Sequence, residues 1–538
     1  MEHHTMDIKT NTMGPQLQSR QGDDKVITLL DIPLEVILQI TGYLNTEEYS
    51  NLRLVCRRLT KFLFAAFARD FFTKRQFTLT ESSLQALIDI SQSKFGPYLK
   101  YLVISLERPP SPGPDDYMAT QAHDLNYVLR YNRPRDEYVS HQTLISSGQD
   151  VELLVEAFRS LPNLQTVSLR DFCSPTRHRD GTGHTWNSYG APTFLDETGR
   201  RFEFPRFGHG VGSMSDERPS AYVSHAFLAI LRALGKMKGS YAPPRFEVIL
   251  REVHLPDTSF NIPRYLERTI VPVLADLKAL FLDLGPKSFH ALIVNNNGHH
   301  ENCSGFLVRN FLSKAVSLEH LRLNFKGCRN FVTKELLLWL AGVPEPNPIS
   351  LQPSISEGSQ KLGTQVDTRG YPPSLPRAPD LPHLDQLDIG MTTLTPDVLL
   401  NLYKRHKPTK ITLHKVTIKA EQQTPTMART NQWTWLFAQI AKSNLSLLAI
   451  NLSSLHHMYK AMSYPVQFKP LNQNPKIPGS STKQWSGLDF KRSAKEFIES
   501  VAVQWPNEQD MDVDDDDDDI EYDDDADMGF DDDSELED

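Results

Sequence analysis

A short apolar recurrence, apolar-x-x-apolar-x-apolar, returns along the chain and constrains its fold more than any other feature. It reads "YLKYLVISL" (Leu99, Leu102, Ile104), "NLQTVSL" (Leu164, Val167, Leu169), "DLKALFLDL" (Leu277, Leu280, Leu282) and "SLEHLRLNF" (Leu318, Leu321, Leu323). Later copies are "HLDQLDI" (Leu384, Leu387, Ile389), "PTKITLHKV" (Ile411, Leu413) and "NLSLLAINL" (Leu445, Leu448, Ile450). Apolar residues at i and i+2 share one face of an extended strand, and a strip this short cannot bury itself. Each copy therefore predicts a short buried strand that needs a neighbour. Helical stretches lie between several copies: "YVSHAFLAILRALGKM" aligns Val223, Phe227, Ile230, Leu231 and Leu234 on one face, and "LTPDVLLNLYKRHKP" opens with a Thr395-Pro396 helix start. Strand, helix, strand in this order predicts parallel pairing.

Units that bury their apolar faces only against their neighbours build a solenoid. The expected fold class is α/β, with a leucine-rich-repeat-like solenoid over 80–343 that continues over 381–507. Its leading leucines stand 41 to 113 residues apart, whereas regular repeats of this kind run about 20–29 residues. The array must hide degenerate units or carry long insertions. One insertion, 171–221, is poor in aliphatics but carries Trp186, Tyr189, Phe194, Phe202, Phe204 and Phe207, so an ordered loop folded back over the solenoid and an open loop both fit it. The Pro/Ser/Gln-rich stretch 344–380 reads as a disordered linker.

At 538 residues the chain has room for two or more cores. Its four cysteines, Cys56, Cys173, Cys303 and Cys328, are too scattered for a disulfide framework or a four-thiolate zinc site, and a reducing cytoplasm or nucleus fits them. No run of eighteen apolar residues and no basic-then-apolar leader occurs, so membrane insertion and secretion are not expected. The net charge of -10 is unevenly spread. Residues 508–538 hold 20 acidic and no basic side chains, leaving 57 basic against 47 acidic in the rest. That tail, like residues 1–25, lacks the apolar content to offset ordering entropy and is expected to be disordered. A solubilising extension, a lure for a basic partner such as a histone or ribosomal protein, and a screen over the basic body are all open to it.

Ahead of the recurrence, "LLDIPLEVILQITGYLNTEEYSNLRLVCRRL" packs more apolar side chains into Leu29–Leu59 than so short a segment can bury against itself. Pro33 and Glu35 suit a helix start, and Val36, Ile37, Ile40 and Leu44 follow at helical spacing. Asn45 with Glu48 forms an N-cap pair for a second helix carrying Tyr49 and Leu52. A third helix is expected from about Leu54, with Val55, Leu59, Phe62, Leu63 and Ala66 on one face. The domain spans 26–75.

This ordered stretch resembles the F-box. Ile32, Pro33, Glu35, Val36, Ile40, Tyr43 and Leu44 take the first half of the family pattern. Leu52, Leu54, Val55, Cys56, Arg57, Arg58 and Leu59 take the second, and Tyr49 stands where leucine is common. With its repeat-like body the arrangement looks like that of filamentous-fungal F-box proteins. The resemblance implies a three-helix module docked on the Skp-type linker of a cullin-based (SCF-type) ubiquitin ligase through Ile32, Pro33, Leu34, Glu35, Ile37, Ile40, Leu44, Leu52, Val55 and Leu59, with Leu52, Val55 and Leu59 equally suited to the core. It implies a substrate-recognition adaptor with no catalytic residues, cofactor or metal of its own, whose solenoid receives a protein target. The competing reading is a nucleic-acid-binding or enzymatic body with the F-box as a regulatory handle, "RFEFPRF" (Arg201–Phe207) supplying aromatic and basic side chains. His299, His300, Glu301 and Cys303 in "NNNGHHENC", and His178, Asp180 and His184 in "HRDGTGH", read as polar loops rather than metal or catalytic sites.

Overall fold

The computed structural model describes residues 29–111, 125–174, 178–180, 186–205, 217–237, 243–289, 305–343, 376–419, 429–443, 445–460, 462–469 and 479–505. The expectations for 1–25, the His299–Cys303 cluster, most of 344–380 and the 508–538 tail lie outside them. The described residues form two compact units, one of residues up to Val253 with Arg264–Val273, the other of His254–Pro263 with residues from Leu274 onward. No described helix is long and apolar enough to cross a membrane.

The first unit opens with three helices, α1 (Leu34–Thr41), α2 (Thr46–Leu54) and α3 (Arg57–Phe72). Strand β1 (Lys74–Thr78) follows directly, starting six residues before the expected beginning of the solenoid at 80, and α4 (Glu81–Ser91) leads on from it. Strands β2 (Tyr101–Ser105), β3 (Thr166–Arg170) and β4 (Arg245–Ile249) extend the sheet. All four run parallel, with Lys74, Tyr101, Thr166 and Arg245 in one row and Phe77, Ile104, Leu169 and Val248 in another. The second row is buried under helices that include Gln149–Arg159 and Glu217–Gly235. Each crossover is long enough to return the chain for parallel pairing, which a tight turn cannot do.

The second unit repeats the plan with β5 (Ala279–Leu284), β6 (His320–Phe325), β7 (Gln386–Leu394) and β8 (Lys410–Lys419), again parallel. Leu280, Leu321, Leu387 and Ile411 stand side by side, all buried. The helix Pro396–His406 starts at the Thr-Pro signal and crosses from β7 to β8. Strand β8 then serves two partners: its first half pairs with β9 (Ala449–Ser453) and its second with β10 (His456–Tyr459). Met391, Lys415 and Ser454, at the same level of these neighbouring strands, take φ of 54°, 48° and 49°, a left-handed conformation costly for residues other than glycine. Strands β11 (Met462–Phe468), β12 (Thr482–Ser486) and β13 (Val501–Val503) close the unit with antiparallel pairs to β10, β9 and β11. Pro376–Asp380, the end of the expected linker, is ordered enough to accept hydrogen bonds from Trp339 and Arg405 at its carbonyls.

The last copy of the recurrence lies two residues further on than expected, as Leu447, Ile450 and Leu452 rather than Leu445, Leu448 and Ile450. Leu447, Ile450 and Leu452 are buried, whereas Leu448 is exposed, because in "SLLAI" either leucine satisfies the pattern and only the strand register selects one. Leu447→Ala and Leu387→Ala should each cost about 2–5 kcal/mol through lost burial and cavity formation, and Leu448→Ala should stay within about 0.5 kcal/mol. Chemical denaturation of the three variants measures this.

Buried histidines give the fold a pH response. Burial lowers His141 from its ordinary 6.5 to about 4, the Leu79 carbonyl only partly opposing it, and burial beside Lys326 and Lys287 does the same to His254. Between these values the unfolded chain binds more protons than the folded one. The stabilisation from keeping these rings neutral is therefore complete above pH 6.5 and drains away as the pH falls towards 4. The melting temperature should drop between pH 7 and 5, and His141→Gln should flatten that slope.

Candidate functional site

The N-terminal module is assembled from three helix starts. The Pro33 carbonyl accepts from Val36 N and Ile37 N, both at 3.1 Å, and opens α1. Asn45 Oδ1 accepts from Glu48 N at 2.8 Å while Glu48 Oε2 accepts from Asn45 N at 3.0 Å, a complete capping box on α2. Cys56 caps α3 through its sulfur, which accepts from Leu59 N. That cap starts α3 at Arg57, later than expected, so the buried stripe runs Leu59, Leu63, Phe67 and Phe71. Val55 and Phe62 consequently lie outside the core. Ile37 and Tyr49 close the cluster, the Tyr49 ring standing edge-on to Phe67 and Phe71 at 5.5 Å from each.

The candidate linker-facing residues divide accordingly. Pro33, Leu34, Glu35, Ile40 and Val55 are exposed, and Ile32, Leu44 and Leu52 are half-buried against the core. Ile37 and Leu59 are fully enclosed among the three helices, Leu59 in the core position that the sequence also allowed it. Val55, also considered as core, is 70% exposed. Sequence reasoning left Val36, Tyr43, Leu54 and Phe62 off the docking set although all are exposed apolar side chains, Tyr43 at 91%. The signal was present for Val36 and Ile40, which lie one turn apart and flank rather than share the Ile37 stripe.

The strands present side chains alternating with the buried leucines, and the two units use them differently. In the first unit these positions are consumed internally. Arg170 Nη2 donates to Tyr101 Oη at 2.6 Å and its Nε to Ser168 Oγ at 3.1 Å, while Glu247 binds Tyr101 and Arg245. Ser168, Arg170 and Glu247 are all buried. In the second unit His320, Arg322, Gln386, Asp388, Thr412 and His414 remain partly accessible. His320 Nε2 meets Asp388 Oδ2 at 2.7 Å, and Arg322 lies over the Phe281 ring at 5.5 Å. This polar ladder can take part in hydrogen bonds and ion pairs with a protein surface.

The remaining candidates are accounted for by packing. Phe202 of "RFEFPRF" stacks on Phe194 with centroids 4.4 Å apart, and the Glu203 backbone pairs with Arg108. That ring is occupied within the fold. Burial and the neighbouring Glu107 carboxyl push the Cys173 thiol up to about 12, and burial alone does so for Cys328, so neither offers a thiolate at neutral pH. Among the described residues no three His, Cys, Asp or Glu side chains gather as a metal site would need.

No curated protein matches the chain. Residues 29–67 match the family model described as F-box-like, which covers α1, α2 and most of α3. The chain thus carries an F-box-like domain, and the exposed apolar side chains of its N-terminal module belong to that domain.

Proposed function

We propose that this protein is a substrate-recognition adaptor of an SCF-type cullin–RING ubiquitin ligase. The F-box-like domain binds the Skp-type linker, and the body, read as a leucine-rich-repeat-like solenoid, holds a protein target. The observation that carries the proposal is the coincidence of an F-box-like match over 29–67 with Leu34, Val36, Ile40, Tyr43, Leu54, Val55 and Phe62 left exposed on a module whose core is already complete. F-box domains generally bind Skp-type linkers, and apolar side chains in this number need a partner. The chemistry of ubiquitin transfer then belongs to the partner enzymes. This chain contributes proximity, converting a chance encounter between target and loaded enzyme into an effectively intramolecular one.

For the target, the polar ladder of β6–β8 is the favoured surface, since its counterpart in the first unit is spent on internal bonds. The acidic tail is a second, separate contact, for which a basic partner and the chain's own basic residues are the two candidate counterparts.

Two substitutions test the docking claim against purified Skp-type linker. Val55→Asp places a charge where an apolar contact is required and should weaken linker binding at least about tenfold without lowering the melting temperature. Ile37→Asp should abolish binding and unfold the module together, since it buries an unpaired charge. Wild-type linker affinity in Val55→Asp and Leu34→Asp would reject the adaptor reading. For the target surface, Arg322→Ala with Asp388→Ala should reduce chain-dependent ubiquitin attachment to the cognate target while leaving linker affinity unchanged. A reconstituted ligase assay, run once a target whose modification requires the chain is in hand, measures both.

A further inference from the structure

The first part of the insertion between β3 and β4 is rooted in the strand body at Asp171 and again at Ser188 and Tyr189, and between these roots it touches the F-box-like domain. At its start, the buried Asp171 carboxylate accepts three backbone N–H groups just beyond β4, from Arg251, Glu252 and Val253 at 2.7, 2.7 and 2.8 Å. Further along, Trp186 N donates to Ser174 O at 2.8 Å and Tyr189 N donates to Gln76 O of β1 at 3.1 Å. The Tyr189 ring lies flat on Phe77 at 4.7 Å, and Gln76 Nε2 donates to Ser188 Oγ at 2.9 Å. These bonds tie the insertion to the edge of β1 and to neighbouring strands.

Between the two roots, Arg179 and Asp180 reach the helical module. Asp180 Oδ1 accepts from Thr46 N at 2.8 Å and its Oδ2 from Thr46 Oγ1 at 2.6 Å. Thr46 N is one of the free donors of the α2 start that the Asn45–Glu48 box leaves over, and a carboxylate there also complements the helix dipole. Arg179 Nη2 pairs with Asp70 Oδ2 of α3 at 3.3 Å, and its guanidinium lies 5.5 Å from the Tyr49 ring and 5.2 Å from the Phe71 ring. Two adjacent side chains thus grip both α2 and α3. Their aromatic seat is Tyr49, the position where the sequence departs from the leucine common in the F-box pattern.

Apart from this grip, the ring contacts between the module and the body that are seen among the described residues lie along α3. Helix α3 runs into β1, and Phe72 and Phe64 pack on Phe95 at 4.0 and 5.1 Å, while α2 has no comparable tie among these contacts. A helix pair held along one edge can rock about it. We propose that Arg179 and Asp180 are positioning residues that fix the orientation of the F-box-like domain on the strand body, with Tyr49 as their docking point. The clasp itself stands on geometry. Its consequence, a defined path between bound target and ubiquitin-loaded enzyme, rests on the adaptor reading.

The test uses the full chain with a dye pair on click-reactive residues at Asn51 of α2 and Arg159 of the body, both exposed, read by single-molecule energy transfer. The native chain should give one narrow distribution. Asp180→Ala, Arg179→Ala and Tyr49→Leu should each broaden it at least about twofold, and Tyr49→Leu combined with Arg179→Ala should add little to either alone. Linker affinity, measured on the same samples, should change less than about twofold. In a reconstituted ligase, self-modification should spread from a few lysines to many in the Asp180→Ala chain. Because Asp180 and Arg179 lie outside the module's core, their variants keep it folded, which a melting curve confirms. Unchanged widths in Asp180→Ala and Arg179→Ala would overturn the clasp. A native chain that fails to bind linker would overturn the adaptor reading and leave the energy-transfer result to decide the clasp on its own.

Discussion

The register of the parallel ladder is the constraint on which the remaining structure depends. Leu280, Leu321, Leu387 and Ile411 can form one continuous apolar row only because successive strands are aligned residue for residue. A shift of one residue would turn every leucine outward and bring the charged ladder of His320, Arg322 and Asp388 into the core. Once register is set, the crossovers are free to vary, since a closing segment of 30 or 100 residues costs little more in entropy than a shorter one. This is why β3 and β4 pair directly despite the long insertion between them, and why that insertion can serve another purpose.

Much of this was legible in the order of residues. The triads beginning at Leu99, Leu164, Leu277, Leu318 and Leu384 all lie in buried strands or their approaches, because apolar periodicity of two is hard to imitate by chance. The Asn45–Glu48 box was legible because its two side chains are chemically specific. Two features escaped for physical reasons. Strand β1, "KRQFT", carries Lys74 and Arg75, and only Phe77 of its side chains is a buried hydrophobic, Arg75 lying instead over Phe72, Trp186 and Tyr189. Strand β4 has Phe246 and Val248 in phase but Pro243, not a leucine, three residues ahead.

Within the candidate site, sequence found the module but not which side of it was dry. Ile37 and Val36 are adjacent aliphatics with opposite fates, one enclosed and the other exposed. Their assignment depends on the crossing of α1 over α3, and that crossing depends on where Cys56 starts α3. A one-residue cap therefore decides which apolar side chains are core and which are surface, and nothing local in the sequence announces it. The grip of Arg179 and Asp180 was harder still to foresee, because it joins residues more than a hundred positions apart through a loop read as solvent-facing.

The row of left-handed residues at Met391, Lys415 and Ser454 has its own implication. Each lets its strand, or the run from β9 into β10, change direction at the same height, so β8 can hand over from one partner to the next without losing its ladder. Three such turns side by side behave as a molecular crease. A sheet creased in this way cannot slide along its own axis, since any slip would carry strained backbone away from the level where its neighbours bend with it. The crease therefore acts as a fixed datum for the second unit, against which the accessible side chains at its N-terminal side, from His320 to His414, keep constant spacing whatever length of chain is looped out between the strands.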